Sequence, residues 1–326
     1  MSIVMHISRF VKAPKDWKNS RNRNFFCRIC YKKLKIYLLD TNFVVKYRKI
    51  ICVLCALHKN SGGKMKNEPK QKQYGYALAN VYDILNDGID HAKWADFYEE
   101  CISRFSDIPV SEICETACGT GGMALEMAKR GYDVTASDIS GEMLTAAESK
   151  VRSAGFSVRF VLQDMRNIKM YSQKDFLLCM LDSMNYLTSC TDIAAALECA
   201  FNALKPGGLF VFDMNSKHKF ECVYADNAYV LEDDGVYCGW ENSYNPKTKN
   251  CDFYLSIFMQ NPDGSYRREN EVQRERMYTV RQMTGIIAET GFELCGVFGS
   301  EHFEPANENV HDRLFYVLKK TSSLTH

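Results

Sequence analysis

The sequence has no long apolar run and almost no net charge. Of its 326 residues, 46% are hydrophobic and 25% are charged, and 41 Lys and Arg stand against 40 Asp and Glu. The longest uncharged apolar run near the N-terminus, residues 50–57, is too short to cross a bilayer or to form a convincing signal core. Neither an internal repeat nor a low-complexity tract is present. These absences exclude collagen-like, wholly disordered and multi-span membrane proteins.

Positive and negative charges are unevenly distributed along the chain, although their totals are nearly equal. Residues 1–64 contain 15 Lys and Arg and only two acids, whereas the rest contains 26 bases and 38 acids. An acidic body repels phosphates, so any affinity for nucleic acid is expected in residues 1–64. The 14 cysteines are scattered through apolar runs, where cysteine behaves as a small hydrophobe. This usage indicates a reducing, cytoplasmic setting.

The basic segment carries two Cys-x-x-Cys pairs, Cys27 with Cys30 and Cys52 with Cys55. Their separation suits a four-thiolate zinc site, but no Gly or Pro stands beside them to form the tight turns of a zinc knuckle. We therefore predict no metal site. Residues 61–64 must be encoded by a purine-rich run directly before the ATG of Met65, which is typical of a bacterial ribosome-binding sequence. Our hypothesis is that residues 1–64 are a disordered or non-native extension.

From Met65 onward, strand and helix patterns alternate, and residues 65–320 are predicted to form one domain. Short strands ending near Glu115, Asp138, Asp164 and Asp182 are each followed by a helical pattern or a turn. Alternation of this kind predicts a doubly wound, mostly parallel, Rossmann-like α/β sheet, with ligands bound beyond the carboxyl ends of the strands. Residues 213–278 lose helical periodicity and predict an antiparallel β insertion over the substrate side.

The chemistry is expected at a glycine-rich turn, Glu115-Thr-Ala-Cys-Gly119-Thr-Gly121, which follows a strand and opens a helix. Glycine allows unusual dihedrals and close approach of a ligand to the backbone. Asp138 ends the next strand, where a carboxylate can accept both hydroxyls of a ribose. A dinucleotide and S-adenosylmethionine both suit this arrangement. Glu115 favours the second, because a carboxylate repels a pyrophosphate and attracts the ammonium of a methionine.

The motifs resemble those of a known family. The turn at Glu115, the segments Ser137–Leu144 and Gln163–Met165, and the run Leu204-Lys-Pro-Gly-Gly208 are similar to the successive motifs of class I S-adenosylmethionine-dependent methyltransferases. Three further segments resemble an uncharacterised bacterial branch with small-molecule acceptors; these are residues 82–85, 94–96 and 181–186. Ala117 departs from the pattern, since the family has a glycine there.

The resemblance implies a set of cofactor-binding residues. Glu115 and the turn would hold the methionine portion, Asp138 the ribose and Asp164 the adenine amino group. Asp164 as a simple turn cap and Tyr82 as a core residue are the alternatives. The full set is Tyr82, Glu115, Ala117, Gly119, Gly121, Asp138, Ile139, Met143, Asp164, Met165 and Leu181.

The resemblance also implies methyl transfer by in-line displacement to a small-molecule nitrogen or oxygen. A hydroxyl acceptor needs a base within hydrogen-bond reach, for which Tyr186 and His302 are the candidates. The acceptor would contact Asn185, Trp240, Arg276 and Tyr278, although aromatic residues on strands usually serve packing. Two alternatives stay open: an NAD(P)-dependent oxidoreductase that uses the same turn, and an RNA methyltransferase recruited through residues 1–64.

Overall fold

The computed structural model describes residues 76–321. The basic extension, the four cysteines of the zinc motif and Met65 lie outside these residues, so the predictions made for them stay predictions. Within residues 76–321, no helix is both long and apolar enough to span a bilayer.

The main sheet has seven strands in the order β10-β11-β5-β4-β1-β2-β3. Strands β1 to β5 run parallel, and β11 is antiparallel to both of its neighbours. The bounds are β1 Glu112–Thr116, β2 Asp133–Asp138, β3 Arg159–Leu162, β4 Lys174–Cys179, β5 Leu204–Asn215, β10 Phe292–Phe298 and β11 Arg313–Lys320. The predicted Rossmann-like sheet is confirmed.

Six α-helices surround the strands of the described chain. They are α1 Tyr76–Leu85, α2 His91–Phe105, α3 Gly122–Lys129, α4 Gly141–Ser153, α5 Cys190–Ala203 and α6 Val280–Ala288. Side chains fix several of their starts. The Ser140 hydroxyl accepts from the Met143 amide to begin α4, and Thr279 and Gln282 form a reciprocal capping box at α6.

The sheet is buried on both faces, as the apolar run at residues 176–181 predicts. Phe176, Leu177, Leu178 and Cys179 of β4 are fully buried, with alternate side chains in two different core clusters. A strand covered on both faces needs no polar alternation. The packed core on both faces therefore holds the carboxyl ends of the parallel strands in place.

A second sheet follows β5 as an antiparallel meander in the order β6-β7-β8-β9. Its strands are β6 Ala228–Asp233, β7 Val236–Tyr244, β8 Asn250–Gln260 and β9 Tyr266–Arg276. Phe253 and Ile257 of β8 pack in one cluster with Leu78 and Leu85 of α1. The predicted β insertion is confirmed, although β5 runs on to Asn215 and Tyr278 lies beyond the last strand.

Candidate active site

The turn between β1 and α3 is left-handed at three positions. Ala117, Gly119 and Gly121 have φ of 54°, 53° and 73°. A side chain makes this region costly, so Ala117 is strained where a glycine would not be. A Cβ built on Gly121 would lie 2.8 Å from the Ala147 Cβ on α4. The turn is thus pressed against the neighbouring helix and exposes backbone rather than side chains to a ligand.

Asp138, at the end of β2, is tied to this turn. Its Oδ2 accepts from the Gly119 amide at 2.8 Å and its Oδ1 from the Ser140 amide at 2.8 Å. Parallel pairing of β1 with β2 brings the two strand ends side by side. Burial raises the pKa of Asp138, although the backbone amides oppose this shift. The carboxylate therefore holds the turn; it lines neither described cavity, and its contact with a ribose stays a prediction.

A cavity of about 380 Å³ lies against the turn. Five of the predicted cofactor residues line it: Tyr82, Glu115, Ala117, Gly119 and Leu181. The Oε2 atom of Glu115 is buried and has no hydrogen-bond partner. A buried carboxylate oxygen without a donor calls for a cationic or hydrogen-bonding ligand, because its desolvation is otherwise uncompensated. The methionine ammonium of S-adenosylmethionine fits this requirement.

The charge state of Glu115 depends on that ligand. Burial raises the pKa of Glu115 to about 8, so the carboxyl group is largely protonated at neutral pH when no cation faces it. The sequence argument treats Glu115 as a standing negative charge. The structure corrects this: the positive charge of a bound ammonium would have to lower the pKa of Glu115 so that the carboxyl group releases its proton to solvent.

Helix α1 covers the turn and is held by an ion pair. A Cβ built on Gly119 would lie 3.8 Å from the Tyr82 Cε1 atom. Lys150 of α4 pairs with Asp83 of α1 at 2.7 Å, and its Nζ also donates to the Thr120 hydroxyl at 3.0 Å. These contacts fix α1 over the cavity and support the prediction that Tyr82 covers the cofactor.

Sequence reasoning missed several residues of this cavity. Asp83, His91, Thr120 and Lys150 all line it. His91 packs so closely on the start of α3 that a Cβ on Gly122 would lie 2.3 Å from its Nε2. Thr120 stands within the quoted turn and Asp83 within the segment 82–85, but His91 and Lys150 belong to no local motif, and only their contacts across the fold reveal them.

A second cavity of about 80 Å³ adjoins the first and shares Tyr82, Asn86, Ile89 and Leu181 with it. The second sheet contributes part of its wall. The remaining lining residues are Leu78, Leu85, Asp182, Tyr186, Tyr224, Leu231, Trp240, Leu255, Gln273, Glu275 and Arg313. Shared walls place this cavity where an acceptor would lie beside the methyl donor. Tyr186 and Trp240 are therefore in the predicted region.

An ionic cluster connects this cavity with the ends of β4, β5 and β11. Arg313 donates to Asp182 at 2.7 Å and also contacts Asp213. Asp213 is fully buried and accepts from the amides of Leu181 and Asp182 at 2.7 and 2.8 Å. Leu181 and Asp182 are both left-handed, with φ of 57° and 56°. Asp213 and Arg313 thus hold a strained turn in the wall that both cavities share.

Three of the predicted acceptor contacts lie outside both cavities, so their contact with an acceptor stays a prediction. Both ends of the buried Asn185 amide are bonded to backbone, to Arg276 and Asn215. The buried Tyr278 hydroxyl donates to the Leu187 carbonyl. Arg276 donates to the Thr188 carbonyl at 2.9 Å and lies 5.0 Å from the Tyr278 ring centroid. None of the three lines either cavity, because the chain between β4 and α5 uses them to dock on β9.

His302, the other candidate base, also lies outside both cavities, and its role stays a prediction. It is exposed, its amide donates to the Ser300 hydroxyl, and its neighbour Glu301 pairs with Lys93 of α2. It lines neither cavity. Tyr186 does face the acceptor cavity and donates to the Gln273 Oε1 atom at 2.8 Å, so its role as a base stays a prediction.

The remaining cofactor residues line neither described cavity. Ile139 is 63% exposed beyond β2, whereas Met143 is fully buried beside α1. Asp164 accepts from the Arg166 amide and pairs with its guanidinium, as the turn-cap alternative predicts. Met165 packs at the edge of a core cluster. Their contacts with adenine stay predictions.

Fold and site together define a Rossmann-like α/β protein with a carboxylate-edged crevice at the ends of its parallel strands, and comparison with known proteins indicates its activity. The family model described as a methyltransferase domain matches residues 113–208. YqeM of Bacillus subtilis (strain 168), whose name assigns it to the methyltransferases, is 29% identical over 249 residues, which cover 76% of this chain and 97% of that protein.

Two further proteins are similar over most of the chain. The crystal structure of an S-adenosylmethionine-dependent methyltransferase from Clostridium acetobutylicum ATCC 824 has a TM-score of 0.68 and 28% identity, covering 75% of this chain and 98% of that one. The glycine/sarcosine N-methyltransferase of Halorhodospira halochloris is 27% identical over 232 residues, covering 70% of this chain and 82% of that protein.

The chain contains a methyltransferase domain and is similar over most of its length to S-adenosylmethionine-dependent methyltransferases, and its cofactor is S-adenosylmethionine. The argument from Glu115 against a dinucleotide leads to the same cofactor. When bound, S-adenosylmethionine supplies an activated methyl group on a positively charged sulfur. The protein then has to align an acceptor with that group and exclude water.

Proposed function

We propose that this methyltransferase transfers the methyl group by in-line displacement to a nitrogen or oxygen of a small molecule. The observation that carries the proposal is the pair of adjoining cavities with shared walls at Tyr82, Asn86, Ile89 and Leu181. The acceptor cavity is walled by α1 and by β7, β8 and β9 through Trp240, Leu255 and Gln273. About 80 Å³ holds a small group rather than a folded macromolecule.

The test is transfer of an isotope-labelled methyl group from S-adenosylmethionine to fractions of a cell extract, with the purified full chain. We expect label in the low-molecular-mass fraction. The Asp138→Ala variant should lose this transfer, and Asp133→Ala, at the exposed start of the same strand, should retain it. Label found only in RNA or protein would contradict the proposal.

A cytoplasmic setting is part of the proposal. Ten cysteines of residues 76–321 are free thiols, among them Cys101, Cys114 and Cys238 in the core. Burial raises the pKa of Cys238 to about 12, which keeps that thiol protonated and unreactive. Cell fractionation of the native source tests the location, and recovery outside the cytoplasm would contradict it.

A further inference from the structure

The acceptor cavity contains two carboxyl groups and one guanidinium. Glu275 of β9 is only 2% exposed, and its Oε2 accepts from the Asn215 Nδ2 at 2.9 Å. Asp182 faces the same cavity and forms the ion pair with Arg313. Arg313 is shared with the buried Asp213, so one cation serves two carboxylates before Glu275 is counted.

The charged groups around Glu275 are unequal in number. Lys219 adds a second positive charge behind the cavity, with its Nζ 5.3 Å from the Tyr224 ring centroid. It opposes the effect of burial and of Asp182, which together raise the pKa of Glu275 well above its ordinary value. The titratable groups that interact with Glu275 are Asp182, Lys219, Tyr224 and the thiol of Cys251, and Asp213 and Arg313 adjoin them through Asp182. Three acids against two bases leave room for one further positive charge.

When no ligand is bound, a proton on one of the carboxyl groups supplies this further positive charge. Both carboxyl groups line the same cavity, and the charge of Asp182 raises the pKa of Glu275. Two neighbouring carboxyl groups repel each other when both are ionised, so one of them keeps a proton. A bound cation would replace this shared proton and leave both groups ionised. The aromatic rings of Tyr224 and Trp240 line the same cavity and add surfaces that favour a cation.

We propose that the methyl acceptor is a small aliphatic amine, and that the Asp182–Glu275 pair binds its ammonium group and takes its proton before methyl transfer. This inference rests on the proposed function of the two cavities. Trp240, whose buried Nε1 has no hydrogen-bond partner, offers a donor to an oxygen elsewhere on the same molecule.

The proton and the electrons balance through this pair. The ammonium gives one proton to the ionised carboxylate, and the neutral nitrogen then directs its lone pair at the methyl carbon. The new nitrogen–carbon bond forms as the sulfur–carbon bond breaks, and the electron pair of that bond stays on sulfur. The methylated product leaves as a cation, and the proton taken from the amine remains as the shared proton of the empty carboxyl pair, so that the one proton lost in the cycle is the one released when the amine binds.

A hydroxyl acceptor fits this cavity less well. An alcohol carries no charge to offset the excess of carboxylates, and it must lose a proton that carboxyl groups remove poorly. Among the described residues that line the acceptor cavity there is no histidine to serve as the stronger base. An amine needs only to be neutral when it attacks.

The binding test uses titration calorimetry on the full chain saturated with S-adenosylhomocysteine. The probes are unbranched and cyclic aliphatic amines, each with the alcohol of the same carbon skeleton. We expect the amines to bind, with release of up to roughly one proton per amine in buffers of different ionisation enthalpy. Equal binding of amine and alcohol, binding without proton release, or no binding of any amine would overturn the inference.

Two variants test whether the carboxyl pair is responsible for amine binding and for the proton release. Glu275→Gln should weaken amine binding about tenfold to a hundredfold and abolish the proton release. Asp182→Asn should act similarly, since Asn tolerates the left-handed backbone at this position. Glu269→Gln, which removes a carboxylate from the same strand away from the cavity, should leave both readouts unchanged. Unchanged affinity for S-adenosylhomocysteine shows that each variant is folded.

The labelling experiment separates this inference from the proposed function. Label in a small molecule on an oxygen would leave the proposed function in place and overturn the amine inference. Label on the nitrogen of a small amine would support both. Failure of all small-molecule fractions would contradict the proposed function itself.

Discussion

Ala117 carries a methyl group at a left-handed backbone position, where glycine is favoured. Its φ of 54° costs about 1–2 kcal/mol for an L-residue, and its Cβ lies at the cofactor cavity. Ala117→Gly should therefore raise the melting temperature and tighten cofactor binding a few-fold. Thermal unfolding and calorimetric titration with S-adenosylmethionine measure the two effects. Ala124→Gly, within α3, should instead destabilise the protein by about 1 kcal/mol. A loss of stability in Ala117→Gly would contradict the strain argument.

Asp138 serves both the turn and the ligand. Asp138→Ala removes the acceptor of the Gly119 and Ser140 amides together with the expected partner of the ribose. Cofactor binding should weaken by about 1–3 kcal/mol, the usual effect of losing a charged hydrogen-bond partner. Calorimetry with S-adenosylmethionine tests this, and Asp133→Ala is the matched control. Unchanged affinity would remove Asp138 from the site.

Residues that sit inside a local motif could be assigned from sequence, and the others could not. Glu115 and Asp138 end strands whose apolar patterns are clear, so their shared edge follows from the parallel sheet. Asp182 and Arg313 are 131 residues apart, and no pattern links them. His302 was chosen for its chemistry alone, and the loop that carries it lies against α2 instead. Contacts between distant segments set the acceptor site.

At the scale of elements, α1 is placed by a few polar contacts from α4. Lys150→Met removes the ion pair with Asp83 and the bond to Thr120. We expect faster hydrogen exchange of the amides of α1 and cofactor binding weakened a few-fold, because Tyr82 is no longer held over the turn. Arg152→Met, on the exposed side of the same helix, is the control. Equal exchange in both variants would show that apolar packing alone fixes α1.

Element boundaries depended on signals that the apolar pattern does not contain. Helix α5 begins at Cys190, three residues before its first buried apolar residue, Ile193, because the Ser189 hydroxyl caps it by accepting from the Asp192 amide. The Pro- and Gly-containing run at residues 205–208 is typical of a turn, yet it lies within β5, which begins at Leu204 and changes its register with β4 beyond Lys174. The order and type of the elements followed from burial, whereas their ends followed from caps and pairing.

Across the whole molecule, the buried acids couple folding to pH. The carboxyl groups of Glu115 and Glu275 have raised pKa values, about 8 for Glu115, against an ordinary value of 4.5. The folded chain therefore holds protons that the unfolded chain has released, and the free energy of unfolding should fall as pH rises toward 8. Burial lowers the pKa of His91 from 6.5 and acts in the opposite direction, but only at lower pH.

In the window from pH 6.5 to about 8 the two carboxyl groups dominate, because His91 of the unfolded chain is at most half protonated there and its opposing effect fades as the pH rises. Urea unfolding at constant ionic strength should give a midpoint that falls across this window. The double variant Glu115→Gln/Glu275→Gln should flatten the decline, and Glu148→Gln on the exposed side of α4 should keep it. Saturating S-adenosylmethionine should also reduce the slope, since its ammonium stabilises the ionised form of Glu115. A midpoint that rises with pH would mean that neither carboxyl group is protonated in the folded protein.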